Sequence, residues 1–131
     1  MFTKNNIKVY NDSKSTNFLA LKNALNSFKD KKVLLIVGGS TKEDDISILD
    51  DSIFNIKKAV ICGENKEKLK EYFEKNKIDY DIYSGLKEAL NNKNDFYKND
   101  VDVILFSPGA PSFDQFKNFE ARGRFFKKTM L

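Results

Sequence analysis

The stretch SPGAPSFDQFKNFEARG, residues 107–123, decides how the rest of this 131-residue chain is interpreted. It follows an apolar run at residues 101–106, which is typical of a buried strand. Two prolines mark a turn, and Ser112 stands three residues before Gln115, the spacing of a capping box. The pattern predicts a strand, a rigid loop and a helix whose free N–H groups favour a bound anion. On spacing alone, the same pattern fits a capping serine at any strand–loop–helix joint.

Further apolar runs divide the rest of the chain into alternating strands and helices. Strands are predicted at residues 8–10, 33–37, 59–62, 80–83 and 101–106. Apolar residues at helical spacing predict the first helix. They are Phe18, Leu21, Leu25 and Phe28. Asn65 is expected to cap a helix at residues 66–76. The alternation predicts a three-layer α/β/α, Rossmann-like domain with a mostly parallel sheet of about five strands.

The last helix is predicted to follow the Ser112 cap and to present one apolar face. That face comprises Phe116, Phe119, Gly123 and Phe126. Glycine costs about 1 kcal/mol inside a helix, so Gly123 predicts a close approach to another part of the chain.

Composition excludes several kinds of protein. The net charge of +4 is spread over interleaved lysines and acids, which is typical of a solvated face and not of a nucleic-acid-binding patch. The chain has no histidine and one cysteine, Cys62, which excludes histidine catalysis, a disulfide framework and a zinc site. No apolar run reaches about 18 residues, and no signal peptide is recognised. We therefore expect a cytoplasmic protein without a membrane partner.

Three stretches resemble the Mur peptide ligases that add D-glutamate. Residues 107–123 are similar to that family's S-P-x-x-A-S-x-D-Q-F-x-x-F-E-x-R-G signature, and the similarity covers seventeen consecutive residues. Residues 11–17, NDSKSTN, resemble its N-D-S-K-x-T-N motif. Residues 38–42, GGSTK, resemble its Gly-Gly loop with a following lysine, although the family often has an acidic residue just before that lysine.

The resemblance implies a single domain at residues 1–131, the C-terminal, amino-acid-binding part of a ligase. The full enzyme would join D-glutamate to UDP-N-acetylmuramoyl-L-alanine through an acyl-phosphate, with ATP and Mg²⁺, in peptidoglycan precursor synthesis. The N-terminal UDP-binding and central ATP-binding domains are not in this chain, and no G-x-x-x-x-G-K-[ST] loop is present. We therefore expect the isolated domain to be inactive and Met1 not to be the start of the full enzyme. We also expect the strand that pairs with residues 8–10 to precede this chain, and the enzyme to be a monomer.

The resemblance also implies which residues face the substrates, and it assigns no catalytic residue and no metal ligand to this domain. It places the first predicted strand beside the last, and the last beside residues 33–37, so three loops would be adjacent at the carboxyl edge of the sheet. The ATP-facing residues would be Asp12 and Lys14. The D-glutamate-facing residues would be Thr16, Lys42, Ser112, Phe113 and Phe119.

Each of these residues also has an ordinary structural interpretation. Thr16 fits a helix cap, Lys42 a surface lysine, and Phe119 a core position. Asp114 would repel a bound carboxylate unless it points away, and Arg122 could neutralise it or pair with Glu120.

Two other functions remain open from the sequence. A stand-alone α/β module that binds a nucleotide or another small anion would use the same edge of the sheet. A receiver-like or interaction domain has less support, because no acidic cluster at the strand ends resembles a phosphoacceptor site.

Overall fold

The apolar run at residues 33–37 forms strand β3 (Val33–Val37), and all five of its side chains are buried. The computed structural model describes residues 1–131 and places β3 inside a six-stranded sheet. The other strands are β1 (Phe2–Lys4), β2 (Ile7–Asn11), β4 (Ile56–Cys62), β5 (Tyr80–Tyr83) and β6 (Val103–Phe106).

The strand order is β1-β2-β6-β3-β4-β5. Every neighbouring pair is parallel except β1 and β2, which form an antiparallel hairpin. The sheet therefore has six strands instead of about five, and the mostly parallel arrangement is confirmed. The helices are α1 (Phe18–Asn26), α2 (Lys66–Lys75), α3 (Leu86–Leu90), α4 (Lys93–Phe96) and α5 (Phe119–Met130), with a 3₁₀ helix at Ile46–Leu49.

Helices cover both faces of the sheet, because a strand that is apolar on both sides must be buried on both sides. On one face, Leu35 packs in a core with side chains from α1 and α2. On the other face, Ile36 packs in a second core with side chains from α3, α4 and α5. The predicted three-layer α/β/α architecture is confirmed.

The expectation that the partner of β2 precedes the chain is wrong, because β1 lies within it. Asn5 and Asn6 join the two strands, with φ angles of 53° and 66°. Two left-handed residues form the tight turn whose twist suits a hairpin. A three-residue strand with one half-buried side chain leaves no alternating pattern in the sequence.

The predicted start of the last helix is also wrong. The carbonyl of Ser112 accepts hydrogen bonds from the backbone N–H groups of Gln115 (3.0 Å) and Phe116 (2.8 Å), which closes one isolated turn. Helix α5 begins later, where the Asn118 side chain accepts from the Ala121 N–H at 2.8 Å. The Gln115 side chain does not return to Ser112, because it accepts a hydrogen bond from the backbone of Leu86 at 2.6 Å.

The positions of β2, β6 and β3 bring three loops to one edge of the sheet. We call residues 11–17 the first loop, residues 38–45 the second loop and residues 107–114 the third loop. Each follows the carboxyl end of one of these neighbouring parallel strands. The expected adjacency of the three loops is confirmed. No helix in the structure is both long and apolar enough to span a bilayer.

The turn after β3 allows a specific test at Gly38. Its φ is +120°, and a Cβ there would lie 1.7 Å from the carbonyl oxygen of Cys62. We expect Gly38→Ala to lower the free energy of unfolding by about 2–4 kcal/mol in urea titrations, through backbone strain and steric overlap. Gly123→Ala, at a helical position where the nearest atom is 3.1 Å away, should cost less. Equal unfolding midpoints for wild type and Gly38→Ala would contradict this.

Candidate functional site

The three loops form one continuous rim through backbone hydrogen bonds. The Asp12 N–H donates to the carbonyl of Phe106, just before the third loop, at 2.7 Å. The Ser40 N–H donates to the carbonyl of Pro111 at 2.7 Å, and the Gly38 N–H donates to that of Pro108 at 2.9 Å. The third loop therefore lies between the other two and is bonded to both.

A buried arginine fastens the first loop to the third. Arg122 lies in α5 and is 2% exposed. Its Nε donates to Ser13 Oγ at 3.0 Å, and its Nη2 donates to the Ser13 carbonyl at 2.7 Å. Its Nη1 donates to the Ala110 carbonyl at 2.8 Å. The rigid fork of the guanidinium suits three such acceptors, which a lysine could not reach together.

Arg122 does not form the ion pair considered from the sequence. Its guanidinium has no carboxylate within 4.0 Å, so neither Asp114 nor Glu120 forms a salt bridge with it. Burial lowers the pKa of Arg122 to about 10, and this effect outweighs the attraction of the more distant Asp114. The residue holds the two loops together mainly through neutral oxygen acceptors.

The start of α5 packs closely on the first loop around Arg122. Ser13 Oγ donates to the Phe119 carbonyl at 2.8 Å, and Asn11 donates to the Gly123 carbonyl at 2.9 Å. A Cβ on Gly123 would lie 3.1 Å from the Cβ of Ser13. The close approach predicted at Gly123 is confirmed.

Asp114 faces the protein, where its carboxylate is used by neighbouring loops. It accepts from Ser40 Oγ at 3.3 Å and from the Glu64 N–H at 3.0 Å. Its own N–H donates to Ser40 Oγ at 2.7 Å, and the Gln115 side chain donates to it at 3.0 Å. The negatively charged carboxylate of Asp114 is therefore hydrogen-bonded by donors of the protein.

A fourth loop, residues 63–65 between β4 and α2, joins the rim although the sequence did not indicate it. Asn65 lies at the predicted N-cap position of α2, but its side chain makes no hydrogen bond to the helix. It accepts instead from the backbone N–H of Gly39 at 3.0 Å, and this contact is buried.

A pocket of about 350 Å³ opens at the junction of the first loop, the third loop and the start of α5. Its lining residues are Thr16, Pro111, Ser112, Phe113, Asn118, Phe119 and Glu120. Four of the five predicted D-glutamate-facing residues therefore lie around one cavity. Phe113 is 74% exposed and Phe119 is 40% exposed, so neither is a core residue. Ser112 is buried, and its hydroxyl has no hydrogen-bond partner.

Lys42, the fifth predicted residue, is exposed and does not line this pocket. Its segment nevertheless belongs to the rim. Ser40 is bonded to the third loop, and the Asp44 carboxylate accepts from the Phe18 N–H, at the start of α1, at 2.8 Å. Lys42 is thus held between two anchored points. The next residue after Asp44, Asp45, caps the 3₁₀ helix by accepting a hydrogen bond from the Ser47 N–H at 3.0 Å.

A larger cleft of about 630 Å³ lies between β2 and α1, and Asp12 and Lys14 are among its lining residues. Such a volume is typical of small-molecule sites. Asp12 accepts a hydrogen bond from Ser107 Oγ at 2.9 Å. Burial raises the pKa of Asp12 above its usual value, although this hydrogen bond and the charge of Lys14 oppose the shift.

Comparison with known proteins places these features in a family. Residues 1–109 match the family described as "Mur ligase, glutamate ligase domain". A UDP-N-acetylmuramoylalanine--D-glutamate ligase of Aquifex aeolicus is 42% identical over 127 residues, which is 96% of this chain and 30% of that protein. Proteins of the same name from Enterococcus faecalis and Streptococcus pneumoniae are 37% identical over 124 residues. The chain spans about 27–30% of the length of these curated relatives.

Removing Arg122 tests the junction of the loops. Arg122→Ala leaves three oxygen atoms without their donors, so we expect the free energy of unfolding to fall by about 2–4 kcal/mol. Arg124→Ala, two residues along the same helix and exposed, should change it by less than about 0.5 kcal/mol. Urea titration of the 131-residue chain measures both. Losses of equal size in the two variants would contradict a specific role for Arg122.

The raised pKa of Asp12 gives a pH-dependent expectation. Because the folded state holds this proton more tightly than the unfolded state, the contribution of Asp12 to stability falls as pH rises through its raised pKa. Asp12→Asn keeps an acceptor for Ser107 without the charge. We expect this variant to be at least as stable as wild type at pH 7, with a difference that shrinks as Asp12 becomes protonated in acid. Urea titrations between pH 7 and pH 3 measure this, and an Asn variant that is less stable at pH 7 would contradict it.

Proposed function

The chain belongs to the Mur ligase family as a glutamate ligase domain, and from this premise we propose that it is the C-terminal domain of a D-glutamate-adding ligase. The full enzyme would join D-glutamate to UDP-N-acetylmuramoyl-L-alanine in peptidoglycan precursor synthesis. The relatives that carry this name support the proposal, and they are more than three times as long as the matched part. The proposal assigns the uridine site and the ATP phosphate loop to parts of the enzyme outside this chain.

The observation that carries the proposal is the pocket with an unpartnered serine at its wall. Polar atoms in protein interiors nearly always have a hydrogen-bond partner, whereas the buried hydroxyls of Ser112, Ser52 and Tyr97 have none in this protein. Among the three, Ser112 lines the pocket, and we propose that the ligand supplies its partner. A carboxylate of D-glutamate supplies an acceptor. Thr16 offers a second hydroxyl at the same pocket, and Phe113 and Phe119 offer apolar surface for the carbon chain between the two carboxylates.

Lys42 is the candidate partner for the second carboxylate. It is exposed, no acid of the protein pairs with it, and its four-carbon stem is flexible. We propose that the ammonium group reaches over the rim when the substrate is bound. A charge-assisted hydrogen bond of this kind contributes about 1.5–3 kcal/mol.

The cleft that contains Asp12 and Lys14 suits the nucleotide. The half-buried carboxylate of Asp12 can accept a hydrogen bond from a ribose hydroxyl, and Lys14 adds a positive charge at the same cleft. In the full enzyme, ATP would activate the muramoyl-alanine carboxylate as an acyl-phosphate, which the D-glutamate amine then attacks. The proposal assigns Mg²⁺, like the phosphate loop, to another domain of the full enzyme.

The domain would therefore bind and orient D-glutamate and close over ATP, without a catalytic group of its own. We propose a cytoplasmic, monomeric enzyme that acts on small molecules, without nucleic-acid or membrane partners. No feature of the site favours a stand-alone nucleotide- or anion-binding module over the ligase domain.

Two variants of the full-length ligase test the assignment. We expect Lys42→Ala and Ser112→Ala each to raise the KM for D-glutamate about 10- to 100-fold, the loss of one charged hydrogen bond. The KM for ATP should stay within about twofold, because neither residue lines the nucleotide cleft. Lys117→Ala, an exposed lysine outside the pocket, is the matched control. Unchanged D-glutamate kinetics in both test variants would refute the assignment.

A further inference from the structure

We propose that Glu64 is a positioning residue for Lys42 and acts through the backbone of the second loop. The proposal rests on the proposed function, because it assumes that Lys42 contacts the amino-acid substrate. Glu64 lies on the fourth loop, residues 63–65. It is not part of the three motifs that resemble the Mur ligase family, at residues 11–17, 38–42 and 107–123.

The fourth loop holds the start of the second loop at several points. The N–H of Gly39 donates to the Asn65 side chain at 3.0 Å, and the Asn65 N–H donates to the Gly39 carbonyl at 3.1 Å. Two residues later, the N–H of Thr41 donates to a carboxylate oxygen of Glu64 at 2.7 Å. The second loop is therefore fixed as far as Thr41, the residue before Lys42.

Beyond Lys42 the next fixed point is Asp44. Its carboxylate accepts from the Phe18 N–H at 2.8 Å, and its carbonyl accepts from Lys68 Nζ at 2.9 Å. Between Thr41 and Asp44 there is one internal backbone hydrogen bond. The Asp44 N–H donates to the Lys42 carbonyl at 3.1 Å. The hydrogen bond between Glu64 and Thr41 is thus the last one that fixes the backbone before Lys42.

The position of Glu64 is itself fixed by the third loop. Its backbone N–H donates to the Asp114 carboxylate at 3.0 Å, and the Asp114 N–H donates to Ser40 Oγ at 2.7 Å. A continuous set of hydrogen bonds therefore runs from the loop that carries Ser112 to the residue beside Lys42. Through it, the two substrate-facing groups keep a defined separation.

Glu64 has no evident role in the core. Its side chain is exposed, and the hydrogen bonds from the Thr41 backbone and side chain lower the pKa of its carboxyl group. It lines neither the pocket nor the nucleotide cleft, so its effect on the substrate passes through the second loop. Its removal should alter the placement of Lys42 while leaving the fold intact.

The test measures steady-state kinetics of the full-length ligase with Glu64→Ala, Glu64→Gln and the control Glu67→Ala, an exposed acid on α2. We expect Glu64→Ala to raise the KM for D-glutamate about 2- to 10-fold, the lower part of the range of coupling between neighbouring groups, with kcat and the KM for ATP unchanged. Glu64→Gln should behave as wild type, because its amide oxygen can still accept from the Thr41 N–H. Glu67→Ala should have no effect.

The same substitution is then made together with Lys42→Ala. If Glu64 acts through Lys42, Glu64→Ala adds no further increase in the KM for D-glutamate to the Lys42→Ala enzyme. A full additional increase in this KM would overturn the proposal. So would equal increases in KM for Glu64→Ala and Glu64→Gln, or no increase in KM for Glu64→Ala.

The outcomes separate this inference from the function on which it rests. An increase in the KM for Lys42→Ala without one for Glu64→Ala rejects the positioning role alone. No increase for Lys42→Ala rejects the role of Lys42 as a substrate contact, and the positioning role of Glu64 with it.

Discussion

The arrangement of the site depends on one buried guanidinium. Arg122 donates to Ser13 in the first loop and to Ala110 in the third, and no ion pair offsets its burial. Taking a charged group out of water is costly unless it is hydrogen-bonded, and each of the three guanidinium nitrogens of Arg122 donates to one of the two loops, so this interaction requires one specific packing of both loops. The pocket wall that carries Thr16 and Ser112 follows from that packing, because each residue lies within three positions of an Arg122 acceptor.

The sheet determines where the loops meet, and the side chains determine how they are held. Parallel neighbours β2, β6 and β3 end at the same edge, which is where open α/β sheets bind their ligands. The burial of β3 and β6 on both faces leaves little freedom for the core to vary. The polar residues of the loops contribute little to that core, and hydrogen bonds between the loops fix their placement.

Much of the fold was predictable because its signals are local. Apolar runs identified five strands, and the adjacency of β2, β6 and β3 and of the loops that follow them came from the family resemblance. The contact of Asn65 with Gly39 and those of Arg122 with Ser13 were not predictable, because they join residues 26 and 109 positions apart. The start of α5 was missed although its cap is local, with the Ala121 N–H donating to the Asn118 side chain. Strand β1 was missed because three residues carry no periodic pattern. The pocket residues came from the family resemblance; their spacing alone fits ordinary caps and surface positions.

We propose that the three loops present one site to a small dicarboxylate, and a crystal structure of the full-length ligase with D-glutamate bound would test this. We expect one carboxylate within about 3.2 Å of Ser112 Oγ or its neighbouring N–H groups, the other near Lys42 Nζ, and the carbon chain beside Phe113 and Phe119. D-glutamate bound away from the junction of the first and third loops, with Ser112 still unpartnered, would contradict it.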